Sequence, residues 1–415
     1  MFLLLITSYK NKMEKIVLYK SKSECCGCGG CENICPQKAI SMKADEYGFL
    51  YPDINEELCI KCKKCINSCN YGKTTKKSLK ETYVAKTVNT DIEQSASGGL
   101  FASIATMILE QGGEVYGCGL INENEKLLPK HIGITKESEL YKLQGSKYVQ
   151  SDLNDVFKRI KKRLLEDKLI LFSGTPCQIA GLQGYLQKDY PNLYTIDIIC
   201  HGVPSIQFFQ DYLIFEEKKM SRKIIDFKFR DKTQGWKLYG KLTYLNKNNE
   251  EKHTYFEPKE SSYYQMFLNS YTYRDSCYCC PYAGENRQGN ITIGDFWCVE
   301  LVHPELIKEN NGPLHYQEGS SCLIINDEKG EELIKEYGKG LQLWKSSYEN
   351  AAKYNGQLKE SSKCPKEREI VLKKYKKGYQ YVEKWYRRKQ IPINVKENIR
   401  KRIPSFIKKF VRKFI

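Results

Sequence analysis

The pattern of hydrophobic and polar positions changes near Thr82, where short apolar runs begin to alternate with amphipathic stretches. Runs with the length of strands lie at residues 83–88, 114–120, 169–172 and 193–199. Stretches with helical spacing lie at 98–110 and 153–165, and others begin at Pro176 and Ser205. Because strands that alternate with helices tend to pair in parallel, the pattern predicts an α/β domain over residues 82–340. Residues 224–230 and 238–245 favour antiparallel strands, so we expect a mixed sheet.

Segments of different character flank this domain. Residues 20–72 are dense in cysteine and glycine, and the polar, charged residues 73–82 form a linker. Residues 345–415 have helical spacing and many charges, which predicts a helical region that is less globular than the rest. We therefore expect three units, at residues 20–72, 82–340 and 345–415.

Eight of the nine cysteines between Cys25 and Cys69 fall into two runs with the spacing C-x2-C-x2-C-x3-C. In modules with two [4Fe–4S] clusters, three cysteines of a run bind one cluster, and the fourth binds the other cluster. The spacing therefore predicts two clusters. Their ligand sets are Cys25, Cys28, Cys31 and Cys69 for cluster one, and Cys59, Cys62, Cys65 and Cys35 for cluster two.

Zinc and disulfides are the alternatives for so many cysteines. Zinc sites use pairs of ligands rather than two runs of four, and disulfides need an oxidising compartment. The second run has Asn70 where a proline commonly follows, which alters the turn and not the ligands. Cys26 stands outside the pattern. We treat it as non-ligating, and an exchange with Cys25 stays open. The segment is therefore predicted to be a ferredoxin-type module.

The net charge of +17 belongs mostly to the C-terminal segment. Residues 372–415 contain sixteen Lys or Arg and two Glu, so the other 371 residues carry only +3. A nearly neutral body argues against nucleic-acid binding, which needs a basic face. From Ile403 to Phe414, apolar residues at helical spacing alternate with Lys and Arg, as in helices that lie on membrane surfaces. We expect peripheral contact with the inner face of the membrane, and packing on the body or on a partner is the alternative.

The remaining apolar pattern favours a cytoplasmic protein. The run Phe2–Ile6 is shorter than the core of a signal peptide. No stretch approaches the ~20 consecutive apolar residues of a membrane span.

Further motifs follow the cysteine module. Ser95–Phe101 opens a predicted helix, where small residues and free N–H groups suit a phosphate. Ser173–Gln178 follows a buried strand, at the edge where parallel sheets bind ligands. The others are Gly145-Ser-Lys-Tyr148, Cys200-His-Gly-Val-Pro204, Cys277-x2-Cys280 and Gly294-Asp-Phe-Trp297. Taken together in their order along the chain, the motifs resemble the beta-subunit family of coenzyme F420 hydrogenases and dehydrogenases over residues 20–340.

The resemblance implies FAD in the α/β domain, and in some members another [4Fe–4S] cluster beside the flavin. The implied flavin contacts are Ser97, Gly98, Gly99, Lys147, Thr175 and Pro176. Candidate ligands of the third cluster are Cys177, Cys200, Cys277 and Cys280, and four unrelated buried thiols are the alternative. Because substrate reduction needs protons, His201 and Asp295 are candidate proton donors. Arg230 and Trp236 are candidates for the substrate side.

The expected fold class is α+β. It combines a ferredoxin-like dicluster module, an α/β flavin-binding domain with a mixed sheet, and a helical basic tail. The expected function is an oxidoreductase that passes electrons between [4Fe–4S] clusters and FAD to reduce a small molecule. Relatives found with surface-polysaccharide genes point to that metabolism. The alternatives are an electron-transfer subunit for a separate catalytic partner, or a coenzyme F420 reductase. Expected partners are an electron donor protein such as ferredoxin and a small-molecule substrate.

Overall fold

A computed structural model describes residues 15–73, 81–88 and 91–402. The apolar run Phe2–Ile6, most of the predicted linker and the predicted amphipathic tail at 403–414 lie outside the described residues.

The cysteine-rich segment folds into short helices beside an antiparallel hairpin: α1 (Gly30–Ile34), β1 (Ile40–Ala44), β2 (Leu50–Ile54) and α2 (Lys64–Asn67). Each helix begins within a cysteine run. The fourth cysteine of the run, Cys35 or Cys69, therefore follows the helix and is carried away from the first three. α1 and α2 pack on each other, so the two runs face one another.

The strands beyond the module are β3 (Glu81–Thr87), β4 (Glu114–Glu123), β5 (Lys126–Ile134), β6 (Ile170–Gly174), β7 (Leu193–Ile198), β8 (Ile224–Lys228), β9 (Gly240–Leu245), β10 (Glu251–Phe256), β11 (Ile291–Asp295), β12 (Ser321–Ile325) and β13 (Leu341–Ser346). The larger sheet has the order β13-β3-β12-β11-β7-β6-β4-β5, and the smaller sheet has the order β10-β9-β8. Strands β4, β6, β7 and β11 are parallel neighbours. The outer strands pair antiparallel. The larger sheet is therefore mixed, as predicted, but the antiparallel strands expected at 224–230 and 238–245 belong to the smaller sheet.

The remaining helices are α3 (Leu100–Glu110), α4 (Val156–Leu165), α5 (Pro176–Leu186), α6 (Ile206–Met220), α7 (Ser262–Leu268), α8 (Val299–Val302), α9 (Glu328–Tyr337), α10 (Tyr348–Tyr354), α11 (Glu367–Tyr375) and α12 (Tyr379–Arg402). Helices α3 and α9 bury apolar side chains on one face of the larger sheet, and α4 and α5 do so on the other. Thr175 and Gln178 form a capping box at the start of α5, and Ser205 caps α6. The carboxyl end of β6 therefore leads directly into α5, whereas residues 199–205 connect β7 to α6.

The C-terminal region is more globular than its charge predicts. Tyr375, Tyr379, Val382 and Tyr386 repeat at helical spacing along α11 and α12, and all four are buried. They join an aromatic core with α6, α7 and the smaller sheet. The expectation of a loosely packed region from residue 345 is thus wrong as far as Tyr386, because tyrosines bury one face of these charged helices. In the described ranges, no helix combines the length and the apolar character needed to cross a membrane.

A buried ion pair fixes the loop after Cys280 to strand β7. Asp197 accepts hydrogen bonds from Arg287 Nη2 (2.7 Å), Thr292 Oγ1 (2.6 Å) and the backbone N–H groups of Gln288 (2.7 Å) and Gly289 (2.9 Å). The side chains of Asp197 and Arg287 are 0% and 1% exposed. Good geometry and full hydrogen bonding offset the cost of removing both charges from water.

Replacing Asp197 by Ala should therefore lower the free energy of unfolding by about 3–5 kcal/mol, because Arg287 would remain buried without its counter-charge. Denaturant unfolding followed by tryptophan fluorescence measures the change. The matched control is Asp53→Ala, which removes an exposed pair with Lys43 (2.6 Å) and should cost about 0–1 kcal/mol. Equal stability losses in the two variants would contradict this role for Asp197.

Candidate functional site

The predicted ligands of cluster one come together in the structure. Cys25 interacts electrostatically with Cys28 and Cys69, and Cys31 interacts with Cys25, Cys28 and Cys69. Burial raises the pKa of Cys31 well above its usual value, so free thiolates are unfavourable there. A bound metal cation reverses that preference, because a coordinating thiol loses its proton. The donor set and its burial therefore fit an iron–sulfur cluster.

The cluster-one loop wraps tightly because of its glycines. Gly27 and Gly29 have φ angles of +68° and +69°, a region that L-residues avoid. Backbone N–H groups of Gly27 and Gly30 reach the sulfurs of Cys25 and Cys28. Such N–H groups stabilise negative charge on a cluster.

The predicted ligands of cluster two line one recess. Cys35, Cys59, Cys62 and Cys65 face a space of about 360 Å³ without protein atoms, part of it open to solvent. Ile16, Ile40 and Ile54 line the same recess. The mixture of thiols and apolar side chains fits a cluster that is shielded on one side and open on the other.

The four candidate ligands of a third cluster also meet. Cys177 follows β6, Cys200 follows β7, and Cys277 and Cys280 lie in the segment that precedes β11. Cys277 interacts electrostatically with the other three. Burial raises the pKa of Cys200 to about 12 and that of Cys280 to about 11. Burial thus disfavours the thiolate forms of Cys200, Cys277 and Cys280, and a bound metal cation would reverse that preference.

Cys26 lies between the cluster-one set and this third set. Its thiol interacts with the thiols of both Cys28 and Cys177. This interaction lowers the pKa of Cys28 to about 7 and also lowers the pKa of Cys177. The residue that the spacing left unassigned therefore joins the two thiol sets.

Close approach of helix α5 makes this junction possible. A Cβ atom on Gly181 would lie 2.8 Å from both Cβ and Sγ of Cys28. A Cβ atom on Gly184 would lie 2.1 Å from the carbonyl oxygen of Ser68, beside Cys69. Only glycine at both positions lets the helix that carries Cys177 contact the module directly.

Arg274 covers the other side of the junction. Its side chain is 1% exposed and donates to the carbonyl oxygens of Cys25 (Nε, 2.7 Å) and Leu50 (Nη2, 2.7 Å), and to Gln150 Oε1 (Nη1, 3.1 Å). Nη2 lies 4.0 Å from the sulfur of Cys25. The guanidinium charge interacts favourably with Cys25, Cys28 and Cys177. Arg274 therefore supplies buried positive charge to both thiol sets.

The predicted phosphate loop lies at the start of α3. Gly99 has a φ of +85° and is the N-cap residue of α3, which has no side-chain cap. Ser97 Oγ donates to the carbonyl oxygen of Ser320 (2.8 Å), and Gly98 N donates to Ser321 Oγ (2.9 Å). The loop is thus held against β12 while the amino end of α3 keeps its dipole without a side-chain partner.

The three other predicted flavin contacts lie in different surroundings. Lys147 Nζ donates to the carbonyl oxygen of Gln144 (2.7 Å), and burial lowers its pKa to about 8. Gln144 reaches Ser95 (3.4 Å), so the Lys147 loop is next to the phosphate loop. Thr175 and the buried Pro176 begin α5, and Thr175 Oγ1 lies 3.1 Å from Cys177 Sγ. These last two residues are therefore closer to the third thiol set than to the phosphate loop residues with which they were grouped by resemblance.

A second group of charges surrounds Asp295, at the end of β11. Arg230 Nη1 donates to Asp295 Oδ2 (2.6 Å), and Trp236 Nε1 donates to Oδ1 (3.3 Å). The rings of Trp236 and Trp297 stack at 5.1 Å. Nε and Nη2 of Arg230 are buried without a hydrogen-bond partner. Desolvation lowers the pKa of the His201 imidazole, and the negative charge of Asp295 partly offsets this effect. The proton-donor roles of His201 and Asp295 stay predictions.

Lys232 connects this group with the phosphate loop. Its Nζ donates to the carbonyl oxygens of Ser97 (2.5 Å) and Glu318 (2.7 Å). Burial and the nearby positive charge of Arg230 lower its pKa to about 7. Lys86, which pairs with Glu318, adds another positive charge. Arg230, Lys232 and Lys86 therefore place positive charge beside the loop, and Asp295 and Glu318 pair with Arg230 and Lys86.

Sequence reasoning missed Gly181, Gly184, Arg274 and Lys232. The glycines had a usable signal, because small residues three apart lie on one helix face and allow close packing. Arg274 and Lys232 had none, since each acts on residues far away along the chain.

Two protein-family models match the chain. The 4Fe-4S dicluster domain matches residues 24–73, and the C terminus of the beta subunit of coenzyme F420 hydrogenase/dehydrogenase matches residues 167–351. These matches confirm the resemblance drawn from the motifs, and with it the iron–sulfur character of the module.

A curated relative is the coenzyme F420-dependent sulfite reductase of Methanocaldococcus jannaschii. It is 26% identical over 200 residues, which is 47% of this chain and 30% of the relative. The match thus spans less than a third of that protein. Among solved structures, a chain of the F420-reducing [NiFe] hydrogenase complex from Methanosarcina barkeri aligns with 13% identity and a TM-score of 0.42. That alignment covers 73% of this chain and 94% of the other.

Gly181→Ala tests the junction between α5 and cluster one. The new Cβ would overlap Cys28, so we expect the variant to lose cluster one. Anaerobically purified protein should then contain about four fewer irons per chain than the wild type. Gly356→Ala is the control, because a Cβ there meets no atom within 4 Å. Unchanged iron content in the Gly181 variant would show that the contact tolerates a side chain.

Proposed function

Because residues 167–351 belong to the coenzyme F420 hydrogenase/dehydrogenase beta-subunit family and residues 24–73 to the 4Fe-4S dicluster family, we propose that the protein is an iron–sulfur flavoprotein oxidoreductase. Electrons pass between the clusters of the module and FAD in the crevice beside the larger sheet, and a small molecule is the substrate. The relation to oxidoreductases is established by the family, and the flavin and the reaction are our proposal.

One observation carries the proposal: a continuous series of thiols leads from the module to the edge of the larger sheet. Cys31 of cluster one interacts with Cys65 of cluster two, and Cys26 interacts with both Cys28 and Cys177. Electron transfer slows steeply with distance, so redox centres must be close neighbours. The series of contacts supplies that closeness.

A third [4Fe–4S] cluster on Cys177, Cys200, Cys277 and Cys280 is part of the proposal. Four convergent, half-buried cysteines fit this group, and Arg287 adds positive charge near Cys200 and Cys280. Asp197 holds Arg287 in place. Unrelated buried thiols would not need to converge from segments as distant along the chain as β6 and the Cys277 loop.

The crevice fits FAD by its charge and by its aromatic side chains. A pyrophosphate suits the uncapped amino end of α3 beside Lys232 and Lys147. The unpartnered N–H groups of Arg230 offer further donors, and the stacked Trp236 and Trp297 offer aromatic surface. Bound FAD would exchange electrons in pairs with a substrate and singly with iron–sulfur clusters.

The chain's own groups would orient and protonate. Asp295 holds Arg230 and the indole of Trp236 in fixed positions. His201, at the rim after β7, is accessible to solvent and can move a proton between water and the crevice. Lys232 fixes the phosphate loop through two carbonyl oxygens.

Coenzyme F420 is the second candidate for the two-electron partner. The family and the Methanocaldococcus relative are both named for F420, which favours it over an unspecified substrate. The relay alternative and the link to surface-polysaccharide metabolism stay predictions. If the fluorescence of F420 does not change on mixing with reduced protein, that result would count against the F420 candidate and leave the flavoprotein proposal intact.

Iron and flavin content test the proposal. Anaerobically purified protein should hold about twelve irons and near one FAD per chain, and Cys277→Ser should lower the iron to about eight. Cys364→Ser, at an exposed cysteine outside the three sets, is the control and should keep all twelve. About eight irons in every form would reject the third cluster, and absence of FAD after reconstitution would favour an electron relay.

The pKa of Lys232 predicts proton uptake on flavin binding. Free protein has a pKa near 7 at this lysine, and a nearby phosphate would raise it toward its ordinary value of 10.5. Between these values binding takes up a proton, so affinity for FAD should fall as pH rises from 7 to 10.

Calorimetry in buffers of different ionisation enthalpy measures that uptake. Lys232→Met should lower it by about one proton, leaving any contribution from Lys147. Lys237→Met, at an exposed lysine of the same loop, should change nothing. Equal uptake in the wild type and Lys232→Met would exclude Lys232 as a phosphate contact.

A further inference from the structure

The two cysteine runs have the same spacing but face different surroundings. Cluster one is enclosed: Cys28 meets Gly181 of α5, and Arg274 covers Cys25. Cluster two faces outward, and Cys62 is the exposed cysteine among the predicted ligands of the module. Electrons that enter or leave the module through solvent-accessible surface therefore have their shortest route at cluster two.

The surface around cluster two is unusually apolar. Leu58, Ile60 and Ile66 are 51%, 57% and 38% exposed. Elsewhere in the described ranges, exposed large apolar side chains occur singly along the chain. Concentrated exposed apolar side chains beside a functional group mark interaction sites.

Lysines complete this surface. Residues 58–66 contain Lys61, Lys63 and Lys64 and no acidic residue. Lys63 and Lys64 are exposed. The nearest acidic residues along the chain are Glu57, which is exposed, and Glu56, which is paired with Lys15 (2.7 Å) and also interacts with Lys61. The docking surface, defined as residues 58–66, is therefore apolar and positively charged.

Alignment of the two runs shows where the lysines stand. Lys61 and Lys63 occupy the positions of Gly27 and Gly29, and they have the same left-handed backbone, with φ angles of +56° and +58°. Glycine adopts that conformation without strain, whereas lysine does not. In the enclosed run a Cβ at Gly27 would strike Arg274 at 2.8 Å. In the exposed run, Lys61 and Lys63 occupy positions where glycine would adopt the backbone conformation with less strain. Their presence there suggests that the positive charge of the lysines has a function.

We infer that the docking surface binds a small acidic electron-carrier protein, which exchanges single electrons with cluster two. This inference rests on the proposed electron-transfer function and names the partner and its site. Lysines attract the acidic partner, and the exposed Leu58, Ile60 and Ile66 form the dry centre of the contact. One electron leaves the carrier's reduced centre and arrives on cluster two, with no bond made or broken.

Stopped-flow mixing of cluster-loaded protein with a reduced acidic two-cluster ferredoxin tests the inference. The second-order rate constant should fall with rising ionic strength. Lys61→Gly/Lys63→Gly removes two charges while keeping a backbone that glycine favours, so cluster two should stay loaded. The rate constant at low salt should fall about tenfold in this variant. Lys335→Gln/Lys339→Gln removes two exposed charges at the end of α9 and should match the wild type.

Several outcomes would overturn the inference. The first is that the ferredoxin does not reduce the wild-type protein. The second is that the glycine variant and the wild type have equal rate constants. The third is that the rate constant of the α9 control falls as much as that of the glycine variant. Photoreduction by a neutral reductant reports cluster function without docking. If the flavin stays oxidised while the ferredoxin reduces the clusters at a lysine-dependent rate, the proposed function fails and the docking surface stands.

Cross-linking of wild-type protein provides a reading without mutation. A carbodiimide joins lysines to carboxylates in contact, so ferredoxin should attach to peptides that contain Lys61, Lys63 or Lys64. Attachment only elsewhere would overturn the inference. A dimer that becomes monomeric with Ile60→Glu would assign the surface to a second copy of the chain and would overturn it as well.

Discussion

The contact between helix α5 and the cluster-one loop is the constraint on which the rest of the structure depends. Gly181 and Gly184 bring the helix backbone against Cys28 and Ser68, with no room for a side chain at either glycine. Cys177, one residue into the helix, is thereby placed within reach of Cys26. Since electron transfer depends steeply on distance, this packing of backbone on backbone decides whether the module and the larger sheet can work as one unit.

Buried arginines compensate for the negative charge that thiolates and clusters bring to this junction. A cluster held by four thiolates carries negative charge, and burying it is costly unless positive charge and hydrogen bonds compensate. Arg274 lies beside the cluster-one set, and Arg287 lies beside the third thiol set. Each is held in place by protein oxygens, Arg287 by Asp197 above all. Their positive charges are fixed in advance, so little reorganisation is needed when a centre changes its charge.

The repeated cysteine motif shows how one local fold serves two purposes. Both runs use the same left-handed backbone positions, which the spacing of the thiols requires. The enclosed run fills them with Gly27 and Gly29, where close packing leaves little space. The exposed run fills them with Lys61 and Lys63, where solvent leaves room for long side chains. Surroundings rather than ligand geometry therefore decide which residues occupy the positions between the cysteines.

The sequence by itself determined the ligand runs of the two clusters, the strands that alternate with helices and the starts of α5 and α6 near Pro176 and Ser205. These features depend on spacing within a few residues, so local physics specifies them. It did not determine that Cys26 joins two thiol sets, that Arg274 covers cluster one, or that Tyr375 and Tyr386 draw a charged segment into the core. Each of these arises from residues far apart along the chain, and only tertiary packing brings them together.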